Sequence, residues 1–315
     1  METMAFSSHP WWSKDTVAVV TGANKGVGYE IVRLLAEQGL TVVLTARDSD
    51  RGQAALDALK IDGPKSVWFH QLDVQSPESV ESLATWLKSR FGGIDILINN
   101  AGIALFYASK GGVVDYENAK EIIDTNYFGV KRVTEGLLPL LRPSLAAARI
   151  VNVTSGAGLY EFLRSEKLKQ TFRDEDKYTQ ELIDSLATKF LEDVKAGRLD
   201  EEGWAGGNGS LYCVSKILLG AYSILLAKSL WNSQPESHQI LVTTFTPGVT
   251  MTDLFSRAVE QGRKFPADFH VNTTTEGADT GVWLALLPKE ELVEKHGKFF
   301  HARKEFSFGS LQLIR

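Results

Sequence analysis

The chain has 315 residues, enough to bury a large hydrophobic core. Its 34 Lys and Arg stand against 39 Asp and Glu, a formal net charge of -5, and no run of five like charges occurs. A nucleic-acid or anionic-membrane partner is therefore not expected, whereas a small-molecule substrate is. Cys213 is the only cysteine, which excludes an intramolecular disulfide and a cysteine-based zinc cluster and favours a cytoplasmic location. No metal site is predicted.

The sequence predicts one domain behind a short extension. Residues 1–14 lack the basic start and continuous apolar stretch of a signal peptide, so we interpret them as an N-terminal extension and residues 15–315 as a single domain. The most apolar stretch, residues 217–231, is interrupted by Lys228. It falls short of the ~18 uninterrupted apolar residues of a membrane span and is predicted to be a buried helix.

Short apolar runs alternate with amphipathic stretches along most of the chain, the pattern of βαβ units. The predicted strands are 16–21, 41–46, 66–72, 94–98, 149–154, 240–246 and 298–301, and the predicted helices are 27–38, 51–60, 78–90, 119–141, 211–231 and 274–287. The strands show little polar alternation, which is typical of strands covered on both faces. The fold class is therefore α/β, a doubly wound, Rossmann-type parallel sheet of about seven strands.

Residues 158–209 break this rhythm. They carry many charges, contain a helical stretch at 179–194 and end in a glycine-rich run at 204–209. They hold too few apolar residues for a core of their own, so we interpret them as a helical insertion near the substrate cleft.

Three glycines stand where the first strand turns into a helix. Gly22, Gly26 and Gly28 lie within the run from residue 21 to 28. Glycines there let the backbone approach a pyrophosphate, and the helix N-terminus adds free N–H groups and positive potential. The position after a first strand and before a helix favours nucleotide binding.

The end of the second strand indicates which nucleotide. An NAD site normally presents a carboxylate there to the ribose 2′-hydroxyl, but this strand ends with Ala46 and is followed by Arg47. Arg47 and Lys25 are two cations able to flank a 2′-phosphate, which favours NADPH. The alternative is that both are solvated surface cations, with Arg47 pairing with Asp48 or Asp50.

Two polar residues occupy positions where fold formation does not require them. Asn126 lies inside a predicted helix, although asparagine is a poor residue there because its amide competes for backbone hydrogen bonds. Ser155 follows the fifth strand at its C-terminal end, where doubly wound sheets bind their ligands. Taken alone, each is also compatible with a purely structural role.

Tyr212 and Lys216 lie four residues apart on a predicted helix and therefore share a face. A free phenol has a pKa near ~10, and a fixed positive charge lowers it toward the neutral range where the group can exchange a proton. The spacing alone is common by chance. It becomes specific downstream of a glycine-rich turn and a strand-end serine.

These motifs, in this order, resemble the signature set of the short-chain dehydrogenase/reductase family. The resemblance spans nearly the whole chain and rests on residues 21–28 and 99–102, Asn126, Ser155, Tyr212 with Lys216, and residues 247–252. Residues 44–48, 69–73 and 202–204, with the long insertion, are similar to the monomeric carbonyl reductases. The ending at 297–300 is similar to the plant branch that includes salutaridine reductase and menthone reductase. Val249 stands where the carbonyl reductases carry a tryptophan, a departure that puts the substrate range of the animal enzymes in doubt for this chain.

The resemblance implies roles for individual residues. Tyr212 would protonate a carbonyl oxygen, Ser155 would hydrogen-bond the same oxygen, Lys216 would hold the nicotinamide ribose and tune Tyr212, and Asn126 would anchor a water of a proton relay. The implied cofactor-binding residues are Gly22, Asn24, Lys25, Gly26, Val27, Gly28, Arg47, Asp73, Val74, Asn99, Ala101, Gly102, Tyr212, Lys216, Pro247, Gly248, Val249 and Thr252. Among these, Asp73 would contact the adenine, Asn99 the adenosine ribose, residues 247–249 the nicotinamide, and Thr252 the phosphates. The implied substrate-binding residues are Ser155, Tyr212, Phe106, Ala157 and Val249.

The expected activity is NADPH-dependent reduction of a ketone or aldehyde of a small apolar molecule to the alcohol. Two alternatives remain: an NADP-dependent alcohol dehydrogenase working oxidatively, and a catalytically silent, cofactor-binding regulator. A serine hydrolase lacks support because no G-x-S-x-G elbow occurs. Family members without the insertion associate through the tyrosine-bearing helix. We therefore predict that residues 158–209 cover that helix, with Leu182, Leu186, Phe190 and Leu191 against Ile217, Leu218, Leu225 and Leu226, and keep the protein monomeric.

Overall fold

The computed structural model describes residues 10–61, 63, 66–104, 115–206, 210–235, 238–260 and 270–309. One sheet of eight strands runs through the centre, in the order β3-β2-β1-β4-β5-β6-β7-β8. Its strands are β1 Val17–Val20, β2 Thr41–Ala46, β3 Val67–Gln71, β4 Ile96–Asn99, β5 Ala148–Val153, β6 Ile240–Phe245, β7 Phe299–His301 and β8 Lys304–Phe306. The first seven are parallel, which confirms the predicted doubly wound sheet.

The eighth strand was not predicted. β8 pairs antiparallel with β7 through a two-residue turn in which Ala302 and Arg303 have φ of 47° and 60°. Positive φ at both turn residues matches the right-handed twist of a hairpin. The strand has three residues and is largely exposed, so it produces no apolar run that sequence inspection detects. Arg303 ties the turn to Asp279 at 2.5 and 2.7 Å.

Helices cover both faces of the sheet. They are α1 Gly26–Glu37, α2 Ser49–Ile61, α3 Pro77–Phe91, α4 Tyr116–Ile123, α5 Gly129–Leu137, α6 Glu166–Arg173, α7 Gln180–Lys195, α8 Ser210–Ser233, α9 Asp253–Glu260, α10 Thr274–Leu286 and α11 Lys289–Val293. One core layer packs Ile31 and Leu35 of α1 and Val282 of α10 against the sheet. The opposite layer uses Leu83 of α3 and Val133 of α5. Strands sandwiched in this way are buried on both faces, which explains their continuous apolar runs.

The predicted long helix at 119–141 is interrupted. α4 and α5 are joined by a π-helical turn, Asp124–Phe128, and a 3₁₀ turn, Leu138–Leu140, follows α5. The π turn inserts one extra residue per turn into the hydrogen-bond ladder, and such turns occur frequently at functional sites. Asn126 lies at the centre of this turn.

α8 is long and apolar enough to cross a membrane by length and composition alone. However, 78% of its most apolar window is buried inside the protein, as in the core helix of a soluble protein. It was the only such helix found in the parts of the chain that the structure describes. The prediction of a buried helix at 217–231 is confirmed.

The insertion packs directly on α8. Leu186 and Phe190 of α7 share a hydrophobic cluster with Ile217 and Leu218 of α8. The other predicted residues, Leu182, Leu191, Leu225 and Leu226, are partly buried and pack against this cluster. Asp193, buried in α7, accepts hydrogen bonds from the Trp204 indole at 2.8 Å and from Lys189 at 2.7 Å. The bond from Trp204 joins α7 to the last part of the insertion. The predicted covering contact is confirmed between described residues. Residues 207–209, part of the glycine-rich exit, lie outside them.

Candidate active site

The functional side chains gather at the carboxyl edge of the sheet. The strand order reverses between β1 and β4, and doubly wound sheets bind their ligands at such a reversal. The glycine-rich turn follows β1, residues 100–104 follow β4, Ser155 follows β5, and residues 246–252 follow β6. One edge therefore collects segments that are far apart in sequence.

The glycine-rich turn is shaped by steric necessity. Gly22 has a φ of 61°, and a Cβ there would lie 2.7 Å from the Ala101 Cα. A Cβ on Gly28 would lie 2.3 Å from the Asn100 Nδ2. Both contacts are shorter than real Cβ atoms tolerate, so only glycine lets the loops after β1 and β4 approach this closely.

Asn100 holds the two loops together, a role that inspection of the sequence missed. Its amide nitrogen donates to the carbonyls of Thr21 and Gly22 at 2.9 and 3.0 Å. In return, the Thr21 hydroxyl accepts from the main-chain N–H groups of Asn100 and Ala101, both at 3.0 Å. The signal present in the sequence was the Asn99-Asn100 pair, of which only the first member was assigned a role.

The side chain of Asn99 lies in the core and is 1% exposed. Its amide nitrogen donates to Thr134 Oγ1 at 3.0 Å and to Asn152 Oδ1 at 2.9 Å, which crosslinks β4 to α5 and β5. Both amide hydrogens are therefore used inside the protein. The side-chain amide of Asn99 is therefore engaged in the core, and the contact of Asn99 with the adenosine ribose stays a prediction that involves its main chain.

Asn126 joins the loop after β4 to α8. Its Oδ1 accepts from the Ile103 N–H, and its Nδ2 donates to the Ile103 carbonyl, both at 2.8 Å, and to the Ser215 hydroxyl at 2.9 Å. The side chain is fully buried. Because both amide hydrogens are used, a relay water could bind Asn126 only through an acceptor, either Oδ1 or the main-chain carbonyl.

Lys216 is buried in α8. Its Nζ donates to the Val153 carbonyl at 2.9 Å and lies 5.7 Å from the centre of the Tyr212 ring. Burial lowers the pKa of this ammonium to about 8. A Cβ on Gly102 would lie 3.5 Å from the same Nζ and 3.3 Å from Asn126 Oδ1, so these three residues are neighbours.

Tyr212 and Ser155 belong to two segments that meet beside Lys216, namely α8 and the loop after β5. Tyr212 is half-buried and packs with Leu254 against Ala104, forming an apolar surface beside the phenol. The Ser155 hydroxyl accepts from the Ala157 N–H at 3.1 Å, and Ser155 and Ala157 are both half-buried. A turn at Gly156–Gly158 follows, in which a Cβ on Gly158 would meet the Lys216 carbonyl at 2.9 Å. The loop that carries Ser155 thus packs against α8, the helix that carries Tyr212.

The two predicted phosphate cations differ in their surroundings. Arg47 follows β2 and is exposed, and its carbonyl accepts from Gln71 Nε2 at 2.9 Å. Asp48 pairs with Arg51 at 3.5 Å, so it is already engaged by a cation other than Arg47. Lys25 is exposed and forms an ion pair with Asp253 at the start of α9. Lys25 therefore bridges the glycine-rich turn and the segment after β6, rather than lying free.

The remaining predicted cofactor residues lie along the same edge. Asp73 and Val74 follow β3; Asp73 Oδ1 accepts from the Gln75 N–H at 3.0 Å, and Val74 is buried, its carbonyl accepting from Arg132 at 2.6 Å. Asn24 is half-buried in the glycine-rich turn, and Val27 is buried at the start of α1.

The segment after β6 closes over the glycine-rich turn. Thr252 Cγ2 lies 3.3 Å from where a Cβ on Gly26 would stand, so Thr252 and the turn are in contact range. Pro247, Gly248 and Val249 are half-buried just before it.

Phe106, the predicted pocket residue, lies outside the described residues. Within the described ranges, His, Cys, Asp and Glu form no group able to hold a metal ion.

Comparisons with known proteins identify the family of the chain. A family model described as short chain dehydrogenase matches residues 16–166. Short-chain dehydrogenase/reductase 1 of Saponaria officinalis is 40% identical over 291 residues, 86% of this chain and 90% of that protein. Carbonyl reductase [NADPH] 1 of Mus musculus is 39% identical over 294 residues, 93% of this chain and 98% of that protein. The structure of salutaridine reductase from Papaver somniferum matches with a TM-score of 0.78 at 33% identity, covering 90% and 99% of the two chains.

The chain therefore belongs to the short-chain dehydrogenase/reductase family and is an oxidoreductase of that family. The predicted resemblance to carbonyl reductases and to salutaridine reductase is confirmed.

Proposed function

We propose that the protein reduces the ketone or aldehyde group of a small apolar molecule to the alcohol, using NADPH. The observation that carries the proposal is the buried Lys216 ammonium, which lies 5.7 Å from the centre of the Tyr212 ring. A positive charge fixed beside a phenol stabilises phenolate, so Tyr212 can release and regain a proton near neutral pH. The apolar surface of Ala104, Tyr212 and Leu254 supports an apolar substrate.

The cofactor and the site residues have separate roles in the proposed reaction. NADPH supplies the hydride. The Tyr212 hydroxyl donates its proton to the carbonyl oxygen as negative charge develops there, and the Ser155 hydroxyl donates a hydrogen bond to the same oxygen. Lys216 holds the phenol at a suitable pKa, and Asn126 keeps the π turn, the loop after β4 and Ser215 in one arrangement.

The residues at the carboxyl edge fit NADP(H). The glycine-rich turn offers backbone with no side chain in the way, at the N-terminus of α1. Exposed Arg47 stands at the end of β2, where an NAD site would present a carboxylate. Carbonyl reductase [NADPH] 1 of Mus musculus, named above, carries this cofactor in its name.

A substrate screen tests the proposal. Purified protein with NADPH is offered monoterpenoid ketones, alkaloid ketones, quinones and aliphatic aldehydes, and the loss of NADPH absorbance is followed. We expect turnover with at least one apolar carbonyl class. NADPH binding without turnover of any class would favour the silent regulator. NADP⁺ reduction by alcohols, together with weak ketone turnover, would favour the oxidative direction.

Replacing Arg47 by alanine tests the cofactor preference. A hydrogen bond to a charged group contributes roughly 1.5–3 kcal/mol. We therefore expect Arg47→Ala to raise the dissociation constant of NADPH by about ten- to a hundredfold and to leave NADH binding nearly unchanged. Isothermal titration calorimetry with both nucleotides measures this. The matched control is Arg51→Ala, which removes a neighbouring exposed cation paired with Asp48. Equal losses for NADPH and NADH at Arg47 would contradict the assignment.

We further propose that residues 158–209 lie near the substrate cleft and keep the protein monomeric. α7 covers apolar residues of α8 that would otherwise be exposed, among them Ile217 and Leu218. Light scattering at micromolar concentration is expected to give the mass of one chain, 34.8 kDa. Replacing Phe190 by aspartate should expose α8 and produce dimers or aggregates. A stable dimer or tetramer of the unaltered protein would refute the covering argument.

A further inference from the structure

Asn272 makes three hydrogen bonds to the segment that follows β6. Its Nδ2 donates to the Pro247 carbonyl at 2.8 Å. Its main-chain N–H donates to the Val249 carbonyl, and its own carbonyl accepts from the Met251 N–H, both at 2.8 Å. Asn272 lies two residues before α10, so one residue from a distant part of the chain fixes three positions of residues 247–251.

The close approach of Asn272 depends on a glycine. Gly248 has a φ of 69°, and a Cβ there would stand 2.8 Å from Asn272 Nδ2 and 2.9 Å from His301 Cε1. His301 Nδ1 is itself 3.3 Å from the Thr246 carbonyl. The loop is therefore held from one side by Asn272 and packed from another by His301, in a conformation that L-residues rarely adopt at position 248.

The Pro247 carbonyl is the point where these interactions meet. It accepts from Asn272 Nδ2 and from the Thr250 hydroxyl, the latter at 2.9 Å. Thr250 in turn fits above Gly277 of α10, where a Cβ would stand 2.7 Å from its Oγ1. Of the two side-chain hydrogen bonds to the Pro247 carbonyl, Asn272 contributes the one that comes from outside residues 247–251.

We propose that Asn272 is a positioning residue that shapes residues 247–251 for the nicotinamide half of the cofactor. This inference rests on the proposed NADPH-dependent reduction. Asn272 acts through the loop and touches neither substrate nor reacting atoms. Preorganisation of this kind lowers the ordering cost of binding, so its loss weakens the ligand that the loop contacts and spares a ligand that it does not contact.

Two ligands distinguish an effect on the nicotinamide half of the cofactor from an effect on the whole binding site. NADPH carries both halves of the cofactor, whereas adenosine 2′,5′-bisphosphate carries the adenosine, its 2′-phosphate and no nicotinamide. We expect Asn272→Ala to raise the dissociation constant of NADPH by about three- to tenfold, the scale of one lost hydrogen bond, and to leave that of the bisphosphate within about twofold. Asn272→Asp keeps the side-chain size but places a carboxylate oxygen against the Pro247 carbonyl, so its effect on NADPH should be larger.

Asn118→Ala removes another half-buried asparagine, whose Nδ2 donates to Asp115 at 2.9 Å, and should change neither constant. The ratio of the two constants cancels any loss of folded protein, and Asn272→Asp supplies the comparison if Asn272→Ala does not fold. An equal change for both ligands, or no change for either, would overturn the inference. Failure of the unaltered protein to bind either ligand would instead overturn the proposed function.

Discussion

Tyr212→Phe is expected to lower kcat by about 10²- to 10⁴-fold, because it removes the proton donor and leaves the ring. The ring packs with Leu254 against Ala104, and phenylalanine preserves that contact, so the dissociation constant of NADPH should stay within about twofold. The measurements are steady-state turnover of a responsive carbonyl substrate and calorimetric titration of NADPH.

The matched control for Tyr212→Phe lies on the same helix. Tyr222→Phe removes a phenol that is 2% exposed and packs edge-on to Tyr127, away from the cleft residues. We expect it to leave kcat within about threefold. A Tyr212→Phe enzyme retaining a third of the original rate would show that another group supplies the proton.

Lys216→Met is expected to remove activity and yet to stabilise the protein when no cofactor is bound. The loss of the fixed charge beside Tyr212 should lower kcat by about 10²-fold or more and weaken NADPH binding. Burial holds the pKa of Lys216 at about 8 against a usual 10.5, which corresponds to a cost on the order of 3 kcal/mol at pH 7. The substitution also leaves the Val153 carbonyl without its hydrogen-bond donor, which costs roughly 1–2 kcal/mol. We therefore expect the free energy of unfolding to increase by about 1–2 kcal/mol.

The pH dependence of the free energy of unfolding shows whether the buried charge of Lys216 destabilises the folded protein. Between about pH 8 and pH 10.5, the unfolded chain binds a proton at Lys216 that the folded chain has released. Raising the pH through this window therefore stabilises the original protein, and the advantage of Lys216→Met shrinks. Urea unfolding of the cofactor-free proteins at pH 7 and pH 9.5 measures it.

Lys228→Met is the control for Lys216→Met, since Lys228 is an exposed lysine of the same helix that pairs with Asp176. Its removal should change the free energy of unfolding by at most about 0.5 kcal/mol at either pH. The account would be contradicted if Lys216→Met had a lower free energy of unfolding than the original protein, by the same amount at pH 7 and at pH 9.5. That result would mean that the buried charge of Lys216 does not destabilise the folded protein.

The sequence predicted the parallel sheet because most of its strands are buried apolar runs, and it predicted α1 and α10 from the helical stretches that alternate with those runs. Thr273 and Glu276 form a reciprocal capping box at the start of α10. The π turn around Asn126 was not predictable from periodicity, since a single wide turn shifts the apolar pattern by only one residue. β8 escaped because three mostly exposed residues carry no pattern.

For the site, local motifs identified the residues that belong to runs with a recognisable order, such as Tyr212 with Lys216. They did not identify Asn100 or Asn272, whose roles depend on hydrogen bonds to segments brought near by the fold. The pairing of Lys25 with Asp253 was missed for the same reason, because the partners are 228 residues apart. Spacing in sequence carries information about neighbours on one helix and little about neighbours across a cleft.

Transfer of deuterium from NADPH that carries deuterium at both C4 positions of the nicotinamide tests the proposed reaction most directly. With a carbonyl substrate identified by the screen, we expect the alcohol to carry deuterium on its carbinol carbon, and we expect Tyr212→Phe to form this product at least about a hundredfold more slowly. An alcohol product without deuterium, or no product from any carbonyl class while NADPH binds, would contradict the proposal that this chain is an NADPH-dependent carbonyl reductase.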